Sequence, residues 1–295
     1  MASSIKRLLR HGLRSYLTYT PVKLGRFPLM MFFHKFLSEP VIEEVATKDR
    51  GRMILEIDDW TQYTMYYNLY ESKYDKIMLA LMKDTNVVLD IGGNIGQHTL
   101  WFARYAKKVY TFEPLPRLIE RLKKHIAMNR LENKVTLVTK ALSDEPKTLR
   151  ITDPEPGMSG IASTILGRNQ NEKTVEIDAI RLDDYLDSEG VKTVDLINID
   201  IEGAELFALK GMPELLKRCS PPLILEMNDL MMGLAGYTFD DVQNYLSQFG
   251  YQPYQMLKNG LSGPVPKIIS DSENFCFLTA EHLQMQKIKD IVVSG

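Results

Sequence analysis

From Asn86 onward, continuous apolar runs alternate with helix-spaced apolar repeats. That alternation restricts the chain to a sheet of parallel strands covered by helices on both faces. The runs are NVVLDI (86–91), KVYTF (108–112), KVTLV (134–138), VDLINI (194–199) and PLILE (222–226). They lack the strict alternation of a strand with one wet face. Between them, Leu118, Leu122 and Ile126 recur every four residues, and Ala204, Leu206 and Leu209 form a stripe that Gly211 ends. Near the end, Thr238 and Asp241 have the spacing of a capping box, with Gly250 as the helix terminator. YQPYQM (251–256) and ENFCFLT (273–279) then flank a Gly/Pro-containing turn, which predicts an antiparallel hairpin closing the sheet. MILEI (53–57) reads as a short strand, and KIMLALM (76–82) as the end of a helix.

The sequence divides into a basic helical extension (1–50), a lead-in segment (51–85) and a large α/β domain (86–295). Charge is segregated along it. Residues 1–38 hold seven Lys/Arg and no acid, leaving 29 basic against 38 acidic residues elsewhere, a balance of −9. Within the extension, Ile5, Leu8, Leu9, Leu13, Tyr16 and Leu17 fall at helical spacing with the cations largely between them. Four readings compete: an anionic membrane surface, an acidic polymer, a targeting peptide, or a helix packed on the domain with a solvated basic face. FPLMMFF (27–33) is too short to span a bilayer and contains Pro28. The two cysteines, Cys219 and Cys276, match no metal or redox spacing; they read as core thiols of a reduced, cytoplasmic compartment, peripheral to a membrane on the first of the four readings.

The densest chemical signal is VVLDIGGNIG (87–96). In an open parallel sheet the ligand lies beyond the carboxyl ends of the strands, so Asp90 and Asp200, which end the first and fourth strands, converge on one crevice. The spacing Asp90-x-Gly92-x-Asn94-x-Gly96 lets backbone approach a ligand, and asparagine tolerates positive φ. A phosphate ligand would favour G-x-G-x-x-G or a Lys-Ser/Thr pair after the loop, and neither is present. Glu113 ends the second strand 17 residues after Gly96, where it can accept hydrogen bonds from both ribose hydroxyls. Asp90 can attract a cationic group such as an amino group or a sulfonium. Together these features describe S-adenosylmethionine, a nucleoside with an amino-acid tail and no phosphate. A nicotinamide-dependent oxidoreductase would also place Glu113 on ribose but lacks its pyrophosphate turn here; a non-catalytic cofactor-binding or membrane-associated protein is the other alternative.

VVLDIGGNIGQHTLWFA, VYTFEP, VTLVTKALSD, IRLDDYL, INIDIEGAE and LILEMN together resemble FkbM-type methyltransferases, over roughly residues 70–280. The resemblance implies a Rossmann-like class I methyltransferase fold, with a mostly parallel seven-stranded sheet and an antiparallel C-terminal hairpin. It implies S-adenosylmethionine as cofactor and a hydroxyl of a sugar, glycan or secondary metabolite as acceptor. By this likeness Asp90, Gly92, Gly93, Asn94 and Gly96 line the methionine part, Glu113 the ribose, and Ala141 with Leu142 the adenine, while Asp200 faces the reacting end. The family often has lysine where this chain has Asn198, which shares a strand face with Asp200.

Asp200 and Glu202 are the candidate bases, in that order, and Glu226 with Asn228 at the end of the fifth strand are candidate acceptor contacts. Glu205 reads as a solvated first-turn acid favoured by the helix dipole. His98 reads either as a pocket residue or as packing on the sheet, and His125 as a solvated helix residue. The loop DPEPGMSGIASTI (153–165) reads equally as a lid carrying Ser159 and Ser163 toward the acceptor or as a plain connector. Divalent-metal binding by the strand-end acids is compatible with these residue types, but no diagnostic spacing demands it. A base-methylating nucleic-acid enzyme would carry Asn/Asp-Pro-Pro-aromatic after the fourth strand; DIEG stands there, and the acidic balance argues against tracking phosphate.

Overall fold

The computed structural model describes residues 2–20, 25–70, 74–82, 87–153, 174–265 and 272–293. They form two compact units, one within Met1–Ser72 and one from Lys73 onward.

In the first unit, α1 (Ala2–Tyr19) and α2 (Arg26–Leu37) pack on each other, followed by an antiparallel hairpin of β1 (Ile42–Ala46) and β2 (Arg52–Glu56) and by α3 (Trp60–Tyr66). Asp59 caps α3 by accepting from the Gln62 amide at 2.9 Å. The centre is aromatic: Tyr63, Tyr66 and Tyr67 are fully buried and meet edge to face.

The solvated-basic-face reading of α1 fails at Arg10 and Arg14. Arg10 is 1% exposed and its guanidinium pairs with Glu39 and with Glu43, the latter at 2.6 Å, while donating to the Leu37 carbonyl. Arg14 donates to the Tyr66 carbonyl at 2.6 Å and lies over the Tyr66 ring. These bonds turn Arg10 and Arg14 inward, while Arg7 and the apolar Ile5, Leu8, Leu9 and Tyr16 are left exposed.

In the second unit, α4 (Asp75–Met82) leads to β3 (Val87–Ile91), α5 (Gln97–Tyr105), β4 (Lys108–Phe112), α6 (Pro116–Met128) and β5 (Val135–Val138). A short β6 (Ala141–Leu142), β7 (Lys147–Thr152) and β8 (Thr174–Ile180) make a separate three-stranded sheet, followed by α7 (Leu182–Ser188). The main sheet resumes with β9 (Leu196–Ile199), α8 (Glu205–Lys210), α9 (Pro213–Cys219) and β10 (Leu223–Asn228). Then come α10 (Asp229–Ala235), α11 (Phe239–Ser247), β11 (Gln252–Leu257), β12 (Gly260–Ser262), β13 (Ser272–Leu278) and α12 (Gln286–Lys289).

The main sheet has the order β12-β11-β13-β10-β9-β3-β4-β5. β10, β9, β3, β4 and β5 are parallel, and β13 runs antiparallel between β10 and β11. Seven of these strands match the expected sheet; the eighth, β12, is a three-residue return of β11 made where Gly260 at φ 152° lies against the Ile291 carbonyl. The sheet carries a core on each face. One includes Leu89, Ile91, Ile197, Ile199 and Leu225, the other Val88, Phe102, Val109, Leu196 and Ile224, the division that alternate side chains of doubly covered strands require. Thr238 and Asp241 form the reciprocal capping box that begins α11, and Gly250 adopts a positive φ beyond its end. Strand order reverses between β3 and β9, so the carboxyl ends of β3, β4, β9 and β10 frame the crevice.

Candidate active site

The turn after β3 is built from three left-handed residues, Gly92 (φ 93°), Asn94 (φ 48°) and Gly96 (φ 100°). The glycines are required by protein atoms. A Cβ on Gly92 would stand 1.9 Å from the Asp200 carbonyl oxygen, one on Gly93 2.2 Å from Thr111 Oγ1, and one on Gly96 2.7 Å from the Leu122 side chain. The turn is therefore wedged between the ends of β9 and β4 and the flank of α6. Its amides are also engaged. Gly92 and Gly93 both donate to the Phe112 carbonyl, at 3.0 and 2.9 Å, Asn94 donates to Glu113 Oε2 at 2.8 Å, and Gly96 to the Gly93 carbonyl at 2.7 Å.

Glu113 closes this turn from β4. Its Oε1 accepts from the Leu115 amide at 2.9 Å while Oε2 holds Asn94, and burial pushes its pKa up to about 7. An ionised carboxylate has about four lone-pair directions, so each oxygen keeps one beyond its backbone bond. Two vicinal hydroxyls need that number of acceptors.

Asp90 is engaged within the protein. It is fully buried, with Oδ2 accepting from Thr99 Oγ1 at 2.5 Å and Oδ1 from Asn198 Nδ2 at 3.0 Å. Thr99 in turn lies 2.9 Å from the Thr111 hydroxyl. Burial pushes the Asp90 carboxyl above its ordinary range, against the opposing pull of His98, Thr99 and Asn198. Asp90 thus ties β3, α5 and β9 together. In this network Asn198, directly opposite Asp90 in register, supplies an amide proton where the resemblance leads one to expect a lysine.

The end of β9 turns through Glu202 (φ 50°) and Gly203 (φ 94°). A glutamate in the left-handed region is strained, and strain of this kind concentrates at functional sites. Burial, with Glu226 and then Glu205 adding repulsion, raises the Glu202 pKa to about 7. Glu205 corrects the solvated-acid expectation. It is 1% exposed, accepting from the Gly203 amide at 3.0 Å and from Tyr237 Oη at 2.7 Å, because its side chain folds back under the turn it follows. Asp200 is half-buried, and its amide donates to the Ile91 carbonyl at 2.9 Å, joining the ends of β9 and β3.

The remaining candidates divide. Glu226 is half-buried at the end of β10, near enough to Glu202 to shift it. Asn228 is an N-cap, its Oδ1 accepting from the Met231 amide at 3.1 Å, as an Asn at the head of a helix favours. Ala141 is half-buried but Leu142 sits in the core. Ser159 and Ser163 lie outside the described residues. His98 is buried beside Phe102, and Cys276 is buried whereas Cys219 is half-buried. His125 is not solvated: it is fully buried, and its Nδ1–H donates to the Ile95 carbonyl at 2.6 Å. The signal was available, since position 125 falls on the stripe of Leu118, Leu122 and Ile126. Among the described residues, no group of three or more His, Cys, Asp or Glu is arranged to hold a metal ion.

The chain is 28% identical over 173 residues to the hexuronic acid methyltransferase AglP of Haloferax volcanii, covering 59% of this chain and 66% of that protein. It is 28% identical over 167 residues to methyltransferase sdnD of Sordaria araneosa, covering 46% of this chain and 64% of that one. The chain thus spans about two thirds of the length of these relatives. A solved FkbM methyltransferase from Methylobacillus flagellatus KT superposes with a TM-score of 0.43 at 16% identity, over 85% of this chain and 58% of that one. The methyltransferase FkbM domain matches residues 90–253, from the acid before the glycine turn to the start of the closing hairpin. With more than half of its length matched, and with the turn, Glu113 and the β9 corner all inside that span, the chain belongs to the FkbM methyltransferase family.

Proposed function

We propose that this chain transfers a methyl group from S-adenosylmethionine to a hydroxyl of a sugar, glycan or secondary metabolite. The observation that carries the reading is the state of the glycine turn: the amides of Gly92, Gly93, Asn94 and Gly96 are bonded within the protein, while Glu113 beside them keeps acceptor capacity. A pyrophosphate needs the amides that this turn has already engaged. A nucleoside without phosphate needs only the carboxylate, so the same observation weighs against a nicotinamide-dependent oxidoreductase.

S-adenosylmethionine supplies a methyl group on a sulfonium, activated for in-line displacement. Glu113 holds the ribose hydroxyls, and the main chain of 92–96 flanks the methionine part. Glu202 removes the acceptor proton as the oxygen–methyl bond forms; its proton affinity near neutrality and its strained backbone favour it over Asp200, which orients the acceptor from the same corner. Glu226 completes the acceptor side. Support for a sugar-derived acceptor comes from the relative named a hexuronic acid methyltransferase.

Calorimetry with S-adenosylhomocysteine and with NAD tests the cofactor, and labelled-methyl transfer to hexuronic acids and simple glycosides tests the acceptor. Heat with S-adenosylhomocysteine and none with NAD is expected. Heat with NAD alone would refute the reading.

A further inference from the structure

Nine of the 17 large hydrophobic side chains exposed among the described residues fall within the first 38 positions. On α1 they are Ile5, Leu8, Leu9, Tyr16 and Tyr19, spaced so that they share one helix face. On α2 they are Phe27, Met31, Phe32 and Phe36. A surface helix ordinarily buries its apolar stripe and wets its charges. In α1 the inward side carries Arg10 and Arg14, fixed by Glu39, Glu43 and backbone carbonyls, so ion pairs hold the apolar stripe outward, with Leu8 71% exposed. Phe27 extends the apolar surface to Trp60, which it meets edge to face at 6.2 Å with the indole still 43% exposed. An exposed aromatic and aliphatic surface of this kind marks an interaction site.

We infer that α1 and α2 dock this protein on an anionic membrane surface, lying in the interface. Charge selects the occupant. Residues 1–38 contain no acid, and Arg7 and Lys35 are exposed on these two helices. Lys35 falls among the exposed apolar residues of α2 and Arg7 on the flank of α1, so a second copy of this surface meets like charge, whereas phosphatidylserine headgroups neutralise it and the acyl boundary takes up the leucines and phenylalanines. The docking is peripheral: among the described residues, no helix is long and apolar enough to cross a membrane. Trp60 at the rim is suited to the headgroup level.

The test is sedimentation of the full chain with phosphatidylcholine vesicles, with and without phosphatidylserine, alongside quenching of Trp60 by brominated lipid. Strong binding only with phosphatidylserine, weakened by salt and accompanied by quenching, is expected. Leu8→Glu with Phe32→Glu, both at exposed positions, is expected to lower partitioning by more than about tenfold. Arg7→Glu with Lys35→Glu, which leaves the apolar face intact, is expected to reduce it by about tenfold or more. Absence of vesicle binding, binding indifferent to both pairs of substitutions, or a wild-type dimer that Leu8→Glu with Phe32→Glu dissolves would each overturn the inference.

Discussion

Replacing Gly92 with alanine tests whether the turn and the end of β9 form one unit. Two costs are separable. The first is conformational: at φ 93° a residue with a Cβ is strained by about 1–2 kcal/mol. The second is steric. The new methyl would lie 1.9 Å from the Asp200 carbonyl oxygen and 2.9 Å from its carbon, and restoring ordinary contact near 3.5 Å moves the two backbones apart by roughly 1.5 Å. Overpacking of this kind costs about 1–3 kcal/mol more. Gly236→Ala isolates the first cost, because Gly236 has φ 86° and nothing within 4 Å of its Cβ position. Urea unfolding followed by near-ultraviolet circular dichroism is expected to show Gly92→Ala destabilised beyond Gly236→Ala by at least about 1 kcal/mol. A displacement of about 1 Å at a site that works by alignment costs on the order of 100-fold, so methyl transfer by Gly92→Ala is expected to fall by that factor while Gly236→Ala is unaffected. Equal unfolding midpoints and equal turnover in the two variants would refute the argument that Asp200 is positioned through Gly92.

Glu113→Gln removes one acceptor and the charge, and S-adenosylhomocysteine affinity measured by calorimetry is expected to fall by about 1.5–3 kcal/mol, roughly 10- to 150-fold. Glu202 has a folded pKa raised to about 7 above an ordinary value near 4.5, so it costs the folded state nothing below pH 4.5 and progressively destabilises it as pH rises to 7. Glu202→Gln is therefore expected to flatten the loss of urea stability between pH 5 and pH 7.5 and to lower kcat by about 10²–10⁴-fold, abolishing a rise in wild-type kcat through about pH 7. Tyr237→Phe leaves the buried Glu205 without its hydroxyl donor and is expected to cost about 1.5–3 kcal/mol in urea unfolding. A cost below about 0.5 kcal/mol would show that Glu205 does not depend on Tyr237.

The main-sheet strands, many of the helices and the positive-φ turn were legible because each is written locally. Unbroken apolar runs mark strands covered on both faces, and glycine and asparagine mark left-handed backbone. The partners of polar groups were not legible, because they depend on which strand ends meet. The bond from Asn198 to Asp90 appears only once register sets β9 beside β3, and Glu205 reads as a solvated helix-start acid until Tyr237, 32 residues on, reaches it. Asn228 carries a second role that its strand-end location did not suggest: its Oδ1 caps the helix that follows. The direction of α1 was hidden for a further reason. Its pattern shows two faces, but which one turns inward was decided by Glu39 and Glu43, outside the helix.

The placement of β13 bears on how the chain reaches this structure. Ser272–Leu278 is the last described strand, yet it fills the slot between β10 and β11, both made earlier. On the ribosome those two strands wait, each with an open hydrogen-bonding rim, until the residues of β13 have emerged. A stop codon or protease cut ahead of Ser272 would therefore leave two adhesive borders in the middle of the sheet, a species suited to clumping with its own kind or to capture by a chaperone.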